Sequence, residues 1–394
     1  MDYEDPALFR PADDVCAPTV GVEEEYFLVH PRSRAVEPAG PRVAARASSV
    51  LGDLVSGEFC DYQVEGKTPP CSGSADLRTQ LLRVRAGVSA EALAEGLRLC
   101  ASGTPVLGGA GPIPVGGHPR YRAGVEQFRS MLDDFAISAV HTHVYLPQRE
   151  LAVLVGNHLR PWLPLLLAMT ANSPFHAGRD TGYASWRSVI RGRFPTLGPP
   201  PYFESLEHYE QLTAHLQESE ALLDADIPFW DIRPNPRLPT VEIRAMDVPG
   251  DPEDTVALAV LVRALVMTAA ARAERGDPGP RTSGELLRAA YWRAARDGWS
   301  GSGSDALTGQ ILPAAVQAER LVEHVRPVLE EYGDMEVVTV FLRRLAARGC
   351  GAQLQRASAI RAADLTGVVD DLVRLTAGTS PHAPEPPVRR HETR

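Results

Sequence analysis

Apolar residues recur at every second position in some stretches of this chain and at every third or fourth in others, and the two kinds are grouped rather than regularly alternating. Period-two runs at 20–29 (VGVEEEYFLV), 58–66, 104–109, 137–146 and 238–246 predict strands. Helical periodicity covers 75–101, 121–135, 148–172, 204–221, 253–275, 284–296, 312–331, 335–348 and 351–376. This grouping predicts an α+β fold in which helices pack on one side of a mostly antiparallel sheet. No repeat of 20–50 residues is visible. The run 255–270 is the most apolar, but it is too short to span a bilayer and carries Arg263, so it reads as a buried helix with Asp254 as N-cap. The Gly/Pro-rich segment 188–202 is expected to be a loop near a site. One domain is expected over 18–377, flanked by an acidic tail at 1–17 without signal-peptide features and a disordered proline-rich tail at 378–394.

The first strand carries three consecutive carboxylates between apolar flanks. Side chains alternate along a strand, so Glu23 and Glu25 share one face, while Glu24 points away and is expected to tolerate substitution better than either neighbour. Two carboxylates on a largely apolar strand repel each other and resist desolvation, which calls for a cation between them. The plain alternative is an edge strand whose acidic face is solvated or paired with arginines. The same period of two recurs elsewhere. Asp61, Gln63 and Glu65 share a face, as do His141 and His143, and as do Glu242 and Arg244. On one sheet these residues form a polar face suited to a metal ion and phosphate, and its glutamates favour Mg²⁺ or Mn²⁺ over Zn²⁺.

Composition narrows the class. A net charge of -10 without a strongly basic run argues against nucleic acid and for small-molecule chemistry. Five cysteines lack CxxC or Cys/His spacing, so no disulfide framework or zinc site is indicated, and a cytoplasmic, reducing compartment is expected with no membrane partner. There is no GxxxxGK[ST] phosphate loop and no GxSxG elbow. The glycines of LGGAGPIPVGG (107–117) form a turn rather than a dinucleotide fingerprint.

The segments VGVEEEYFLV, QVEGKTPPC, HTHV, SPFHAGRDTGYASWR and FWDIRPNPRLPTVEIRAMDVP, in this order over about 18–375, resemble the carboxylate-amine ligase family related to type 2 glutamate-cysteine ligases. The resemblance implies a glutamine-synthetase-like antiparallel sheet shaped as a funnel, with ATP at one end and substrates at the other. It implies ATP-dependent amide formation through an acyl phosphate, with Mg²⁺ or Mn²⁺ bridging the phosphates. The substrates would be a small-molecule carboxylate, glutamate or a relative, and an amine, either free or carried on another protein. Carried onto this chain, the family pattern makes Glu23, Glu25, Glu65 and Glu242 metal ligands, joined by His141 or His143. It makes Arg233 and Arg244, with Arg187 behind them, the contacts to phosphate, and it places His143 beside the nucleotide. Asp231 would orient Arg233. A homodimer is the default expectation from the prevalence of symmetric pairs.

The chain also departs from the family pattern. Gly111 stands where histidine is usual, Lys67 replaces a small neutral residue, and Ala290 and Tyr291 replace a polar pair. These changes favour a specialised amide synthetase over a ligase making γ-glutamylcysteine. A non-catalytic ATP- or amino-acid-binding relative would be supported by Lys67, whose ammonium could stand in for one cation.

Overall fold

The computed structural model of the chain describes residues 18–378, so both expected tails, Gly378 apart, lie outside the described residues. The strands are β1 (Val20–Val29), β2 (Val55–Gly57), β3 (Gln63–Lys67), β4 (Arg98–Cys100), β5 (Ala139–Tyr145), β6 (Phe175–His176), β7 (Arg179–Asp180), β8 (Ile232–Pro234), β9 (Thr240–Asp247), β10 (Ser302–Ser304) and β11 (Ile311–Pro313). Seven of them form one antiparallel sheet in the order β2-β3-β1-β5-β9-β8, with β4 added on β1. The helices are α1 (Gly40–Leu51), α2 (Ser74–Ala94), α3 (Pro119–Phe128), α4 (Arg149–Leu159), α5 (Leu163–Thr170), α6 (Trp186–Arg191), α7 (Leu206–Glu218), α8 (Pro252–Ala273), α9 (Gly284–Asp297), α10 (Ala314–Glu331), α11 (Met335–Arg348), α12 (Gly351–Ala362) and α13 (Thr366–Thr376). The expected α+β architecture is present.

Several expected boundaries move, each for a local reason. The strand expected at 104–109 is absent, and Gly108 and Gly109 there take positive φ. Its place in the sheet goes to β4, inside the stretch read as helix 75–101, because α2 stops at Ala94 and Gly96 turns the chain with φ 74°. Pairing in the run 58–66 begins only at Gln63, since residues before it turn through the Gln63 N–H to Cys60 carbonyl bond. The helix expected over 351–376 breaks at Ala363, which is left-handed at φ 59°, and Asp364 accepts the amides of Thr366 and Gly367. The segment 148–172 is interrupted by a 3₁₀ turn at Arg160–Trp162, where Pro161 and Pro164 remove amide donors. Asp251, not Asp254, caps α8 by accepting the Glu253 amide at 3.0 Å. Two stretches, Arg149–Thr170 and Pro252–Ala273, are long and apolar enough to cross a membrane, but 89% and 72% of their apolar windows are buried inside the fold.

Alternation along the strands divides the sheet into two faces. Val20, Val22, Val140, Val144, Val241 and Ile243 point into the main apolar core shared with α4, α5, α8, α10 and α11. Tyr26, Leu28 and Val64 join a second core with α1 and α2. Gly66 belongs to this face, where a Cβ would come within 2.7 Å of Val84 in α2. The intervening residues form the opposite face, polar around Glu23, Glu25, His141, His143 and Glu242 but closed at Phe27 and Val29 by a third apolar cluster with α13, so the helices are not confined to one side as expected.

Glu24 falls on the helix-packed face and is fully buried. Its carboxylate accepts two hydrogen bonds from Arg85 of α2 (2.6 and 2.7 Å), one from Thr255 of α8 (2.6 Å) and one from Tyr26 (2.5 Å). Arg85 in turn donates to the carbonyls of Pro249 and Gly250. The expectation that Glu24 tolerates substitution is therefore corrected: it pins β1 to two helices. Replacing it leaves a buried guanidinium unpaired, so Glu24→Ala should cost about 3–5 kcal/mol of stability. An unchanged denaturant midpoint for that variant would show that the pair carries no such weight.

Candidate active site

The polar face is assembled by register. Glu23 lies opposite Lys67 on one side and His141 on the other, Glu25 opposite Glu65, and His143 opposite Glu242. Arg233 of β8 is level with Glu242. A row of charged and imidazole groups therefore crosses five strands, with one irregularity: the β5–β9 register shifts between Val140 and Thr142, so His141 sits at a bulge.

His141 occupies the centre of this row. Its Nδ1 lies 3.3 Å from Glu23 and 4.0 Å from Glu242, and its Nε2 lies 3.7 Å from Glu25. Two groups of potential ligand atoms result, Glu23–His141–Glu242 and Glu25–Glu65–His141, each with all its atoms within 4.8 Å of one another. His143 is in neither. It hydrogen-bonds Thr240 at 3.1 Å and flanks Glu23 at 3.5 Å. Burial and the neighbouring Arg244 push the His141 imidazole down to about 3, so it is neutral and able to offer a lone pair.

The carboxylates divide by their neighbours. Burial opposes ionisation of Glu23 and Glu242, but His143 and His141 at the first, and Arg233 and Arg244 at the second, outweigh it and hold both well below the usual range. Glu25 is raised well above that range by burial and by repulsion from Glu58 and Glu65. Burial and Glu65 push Glu58 to about 7, and burial raises Glu65 despite Lys67 at 3.0 Å. Glu25, Glu58 and Glu65 thus form an acidic cluster short of positive charge. That deficit and the all-glutamate oxygen set fit a hard divalent cation.

The three predicted arginines are all on hand, with different settings. Arg233 donates to Glu242 at 2.9 Å and to the Pro228 carbonyl at 2.6 Å, and Arg244 forms a short bond to the other Glu242 oxygen. Asn235 adds a third donor to Glu242 at 3.1 Å. Asp231 does not orient Arg233, contrary to expectation: its carboxylate pairs with Arg191, a residue not anticipated, while Arg233 turns to Glu242 on the neighbouring strand. Arg187 is buried behind β9, donating to the carbonyls of Arg244 and Ala245 and lying 3.6 Å from Asp247. Asp247 also ties Ser173 and Ser185 to β9, which accounts for the SPFHAGRDTGYASWR block as a support for the site.

Two cavities adjoin the polar row at opposite ends of the strands. One, of about 390 Å³, opens at the β8–β9 hairpin, where Arg149, Arg237, Asn235 and Tyr145 line it without any acidic residue. The other, of about 240 Å³, has Glu25, Glu58, His141 and Arg244 in its floor and aromatic side chains in its wall. A larger space of about 720 Å³ lies among α8, α11, α12 and α13 and contains none of the predicted residues. Glu58 and the aromatic wall were not legible in the strand pattern, because they come from turns and from α3 rather than from the sheet. Of the departures, Lys67 lies in the row itself. Gly111 is an exposed turn at φ 86°, and Tyr291 lines a separate pocket beside Asp231.

The chain matches the sequence profile of glutamate–cysteine ligase family 2 (GCS2) over residues 19–374. It is 43% identical over 370 residues to a Nocardia farcinica protein named "Putative glutamate--cysteine ligase 2-1", covering 94% of this chain and 96% of that relative. A Saccharopolyspora erythraea protein of the same name is 40% identical over 355 residues, covering 90% and 94%. Among solved structures, Francisella tularensis glutamate–cysteine ligase in complex with AMP matches with a TM-score of 0.65 at 12% identity, over 93% of this chain and 90% of that one. A bifunctional glutathione synthetase from Pasteurella multocida matches with a TM-score of 0.61 at 15% identity, over 95% of this chain and 52% of that one. At such identities the structural likeness shows the fold alone. The sequence profile and the relatives show more: the chain belongs to glutamate–cysteine ligase family 2, a family of ATP-dependent ligases that form C–N bonds.

Proposed function

We propose that this enzyme activates a small carboxylate, glutamate or a close relative, as an acyl phosphate and joins it to an amine, with ATP entering at the β8–β9 hairpin. The observation that carries this reading is the pair of ligand groups centred on His141, set between an arginine-lined mouth and a second, enclosed cavity. Arg149 and Arg237 give the mouth the positive charge that suits a polyphosphate. Glu23 and Glu242 on one side of His141, and Glu25 and Glu65 on the other, would hold Mg²⁺ or Mn²⁺. A neutral imidazole has one lone pair, so His141 completes only one group at a time.

Bound there, the cation would neutralise charge on the ATP phosphates during transfer. Arg244 and Arg233 stand beside that position and fit the in-line transfer of the γ-phosphoryl group to the substrate carboxylate, which releases ADP. Attack by the amine on the acyl carbon then expels phosphate, and the amine loses a proton. Both reactants would be held next to each other in the cavity beside Glu25. The relatives' names point to cysteine as the amine and would make the product γ-glutamylcysteine. A non-catalytic relative is favoured by one observation, the Lys67 ammonium 3.0 Å from Glu65.

Two measurements separate these readings. Manganese should bind the isolated protein by calorimetry, and Glu25→Gln should weaken it about 10-fold or more while the circular dichroism spectrum stays unchanged. Equal affinity in that variant would remove Glu25 from the ligand set. With ATP, Mg²⁺, glutamate and hydroxylamine, an acyl phosphate is trapped as the hydroxamate. The wild-type chain should form it, and Glu25→Gln should lose about 100-fold of the rate or more. Absence of both hydroxamate and ADP at millimolar ATP across a panel of carboxylates and amines would defeat the ligase reading and leave the binding relative.

A further inference from the structure

The cavity next to Glu25 is walled by six aromatic side chains, Phe59, Tyr121, Phe128, Phe135, Phe194 and Phe229. Five of them meet edge to face in one linked series. Phe59 lies 5.3 Å from Tyr121 and 6.1 Å from Phe135, and Phe194 lies 4.8 Å from Phe135 and 5.5 Å from Phe128. Core packing accounts for only part of the group: Phe59 and Phe135 pack against the third apolar cluster, and Phe194 is buried. Tyr121, Phe128, Phe194 and Phe229 belong to none of the four apolar clusters of the fold. All but Phe194 are only half-buried, so their faces are open to the cavity. A contiguous apolar wall left open to water marks a surface that a ligand covers.

The charges in the cavity indicate which end of a ligand goes where. Each arginine of the wall has an acidic partner, although Arg120 Nη2, Arg187 Nε and Arg244 Nε find no hydrogen-bond partner among the described residues. Arg120 pairs with Asp224 at 2.7 Å and stacks 5.8 Å from the Phe229 centroid, Arg191 pairs with Asp231, Arg187 lies beside Asp247, and Arg244 is held by Glu242. Glu58 presents a carboxylate to the same space, oriented by the Phe59 amide at 2.6 Å. A cation in the cavity meets that carboxylate, and aromatic faces attract cations as well. The complement of such a space is an ammonium group on a bulky apolar body.

We infer that the amine substrate is a primary amine bearing a large apolar, preferably aryl, group, held by Glu58 at its ammonium and by the aromatic wall at its body. The thiol of cysteine would leave most of this wall uncovered. The inference rests on the ligase reading for the amine's fate, but the preference itself is a binding property and is tested as one.

The test compares 2-phenylethylamine, ethylamine and cysteine by calorimetry on the full chain and by ADP release with ATP, Mg²⁺ and glutamate. Phenylethylamine should bind at least about 10-fold more tightly than ethylamine, and Phe128→Ala should remove most of that difference. Phe128→Leu should restore part of it, whereas Glu58→Gln should weaken both amines alike. Preference for ethylamine or cysteine, no response to Phe128→Ala, or displacement of phenylethylamine by adenosine would overturn the inference. Turnover with cysteine alone would overturn it while sparing the ligase reading. Selective binding of phenylethylamine without turnover of any amine would uphold the pocket and sink the ligase reading instead.

Discussion

One electrostatic constraint organises this molecule: Glu23, Glu25, Glu65 and Glu242 on a single face of one sheet, with Glu58 from the turn after β2, are gathered together and largely withdrawn from bulk water. Mutual repulsion and lost hydration both act against such a cluster. The fold meets the constraint unevenly. Glu242 is enclosed by Arg233, Arg244 and Asn235, and Glu23 is flanked by two imidazoles and opposed by Lys67. The Glu25–Glu58–Glu65 side lacks equivalent compensation, and its raised carboxylates express that shortage.

Much of this was legible because strand alternation is a rigid rule. Once β1, β3, β5 and β9 are recognised, the side chains at every second position must share a face, and the register then brings Glu25 level with Glu65 and His143 level with Glu242. The same rule gave the right face for Glu24 but the wrong consequence. Alternation says which way a side chain points; it does not say that Arg85, 61 residues along the chain, waits there. Asp231 and Arg233 illustrate the same limit, since their partners Arg191 and Glu242 are set by tertiary packing. Two helices were missed as well. The alanine- and serine-rich α1 buries Val43, Ala44, Ala47 and Leu51 on one face but has no side-chain cap to announce it, and the short α6 lies partly inside a segment whose glycines and prolines read as loop.

The aromatic wall escaped notice for a different reason. Its members come from the turn before β3, from α3 and the segment after it, from the turn beyond α6 and from the approach to β8, so no window of sequence contains them together. The carboxylate row is local in pattern and conserves its spacing through the sheet, whereas the wall is a product of how several connections fold back over the polar face. Loops placed over a rigid sheet are also where a family can change its substrate without disturbing the charged machinery beneath. Lys67 is the exception, a change within the row itself.

The two faces of β1 are physically coupled through this division. The acidic cluster favours separation of β1 from β3 and β5, because every carboxylate would regain water if the strands parted. On the other face, Glu24 binds the same strand to α2 through Arg85 and to α8 through Thr255, with Arg85 reaching the carbonyls that lead out of β9. These contacts are satisfied, charge-assisted and dry, so they hold the strand from behind while the site face remains under repulsion. A strand bearing Glu at three successive positions is therefore not three copies of one feature. Glu25, raised above the usual range, opposes the fold when ionised; Glu23 is held ionised by its two imidazoles; and the middle one supplies part of the anchorage that keeps the strand in place.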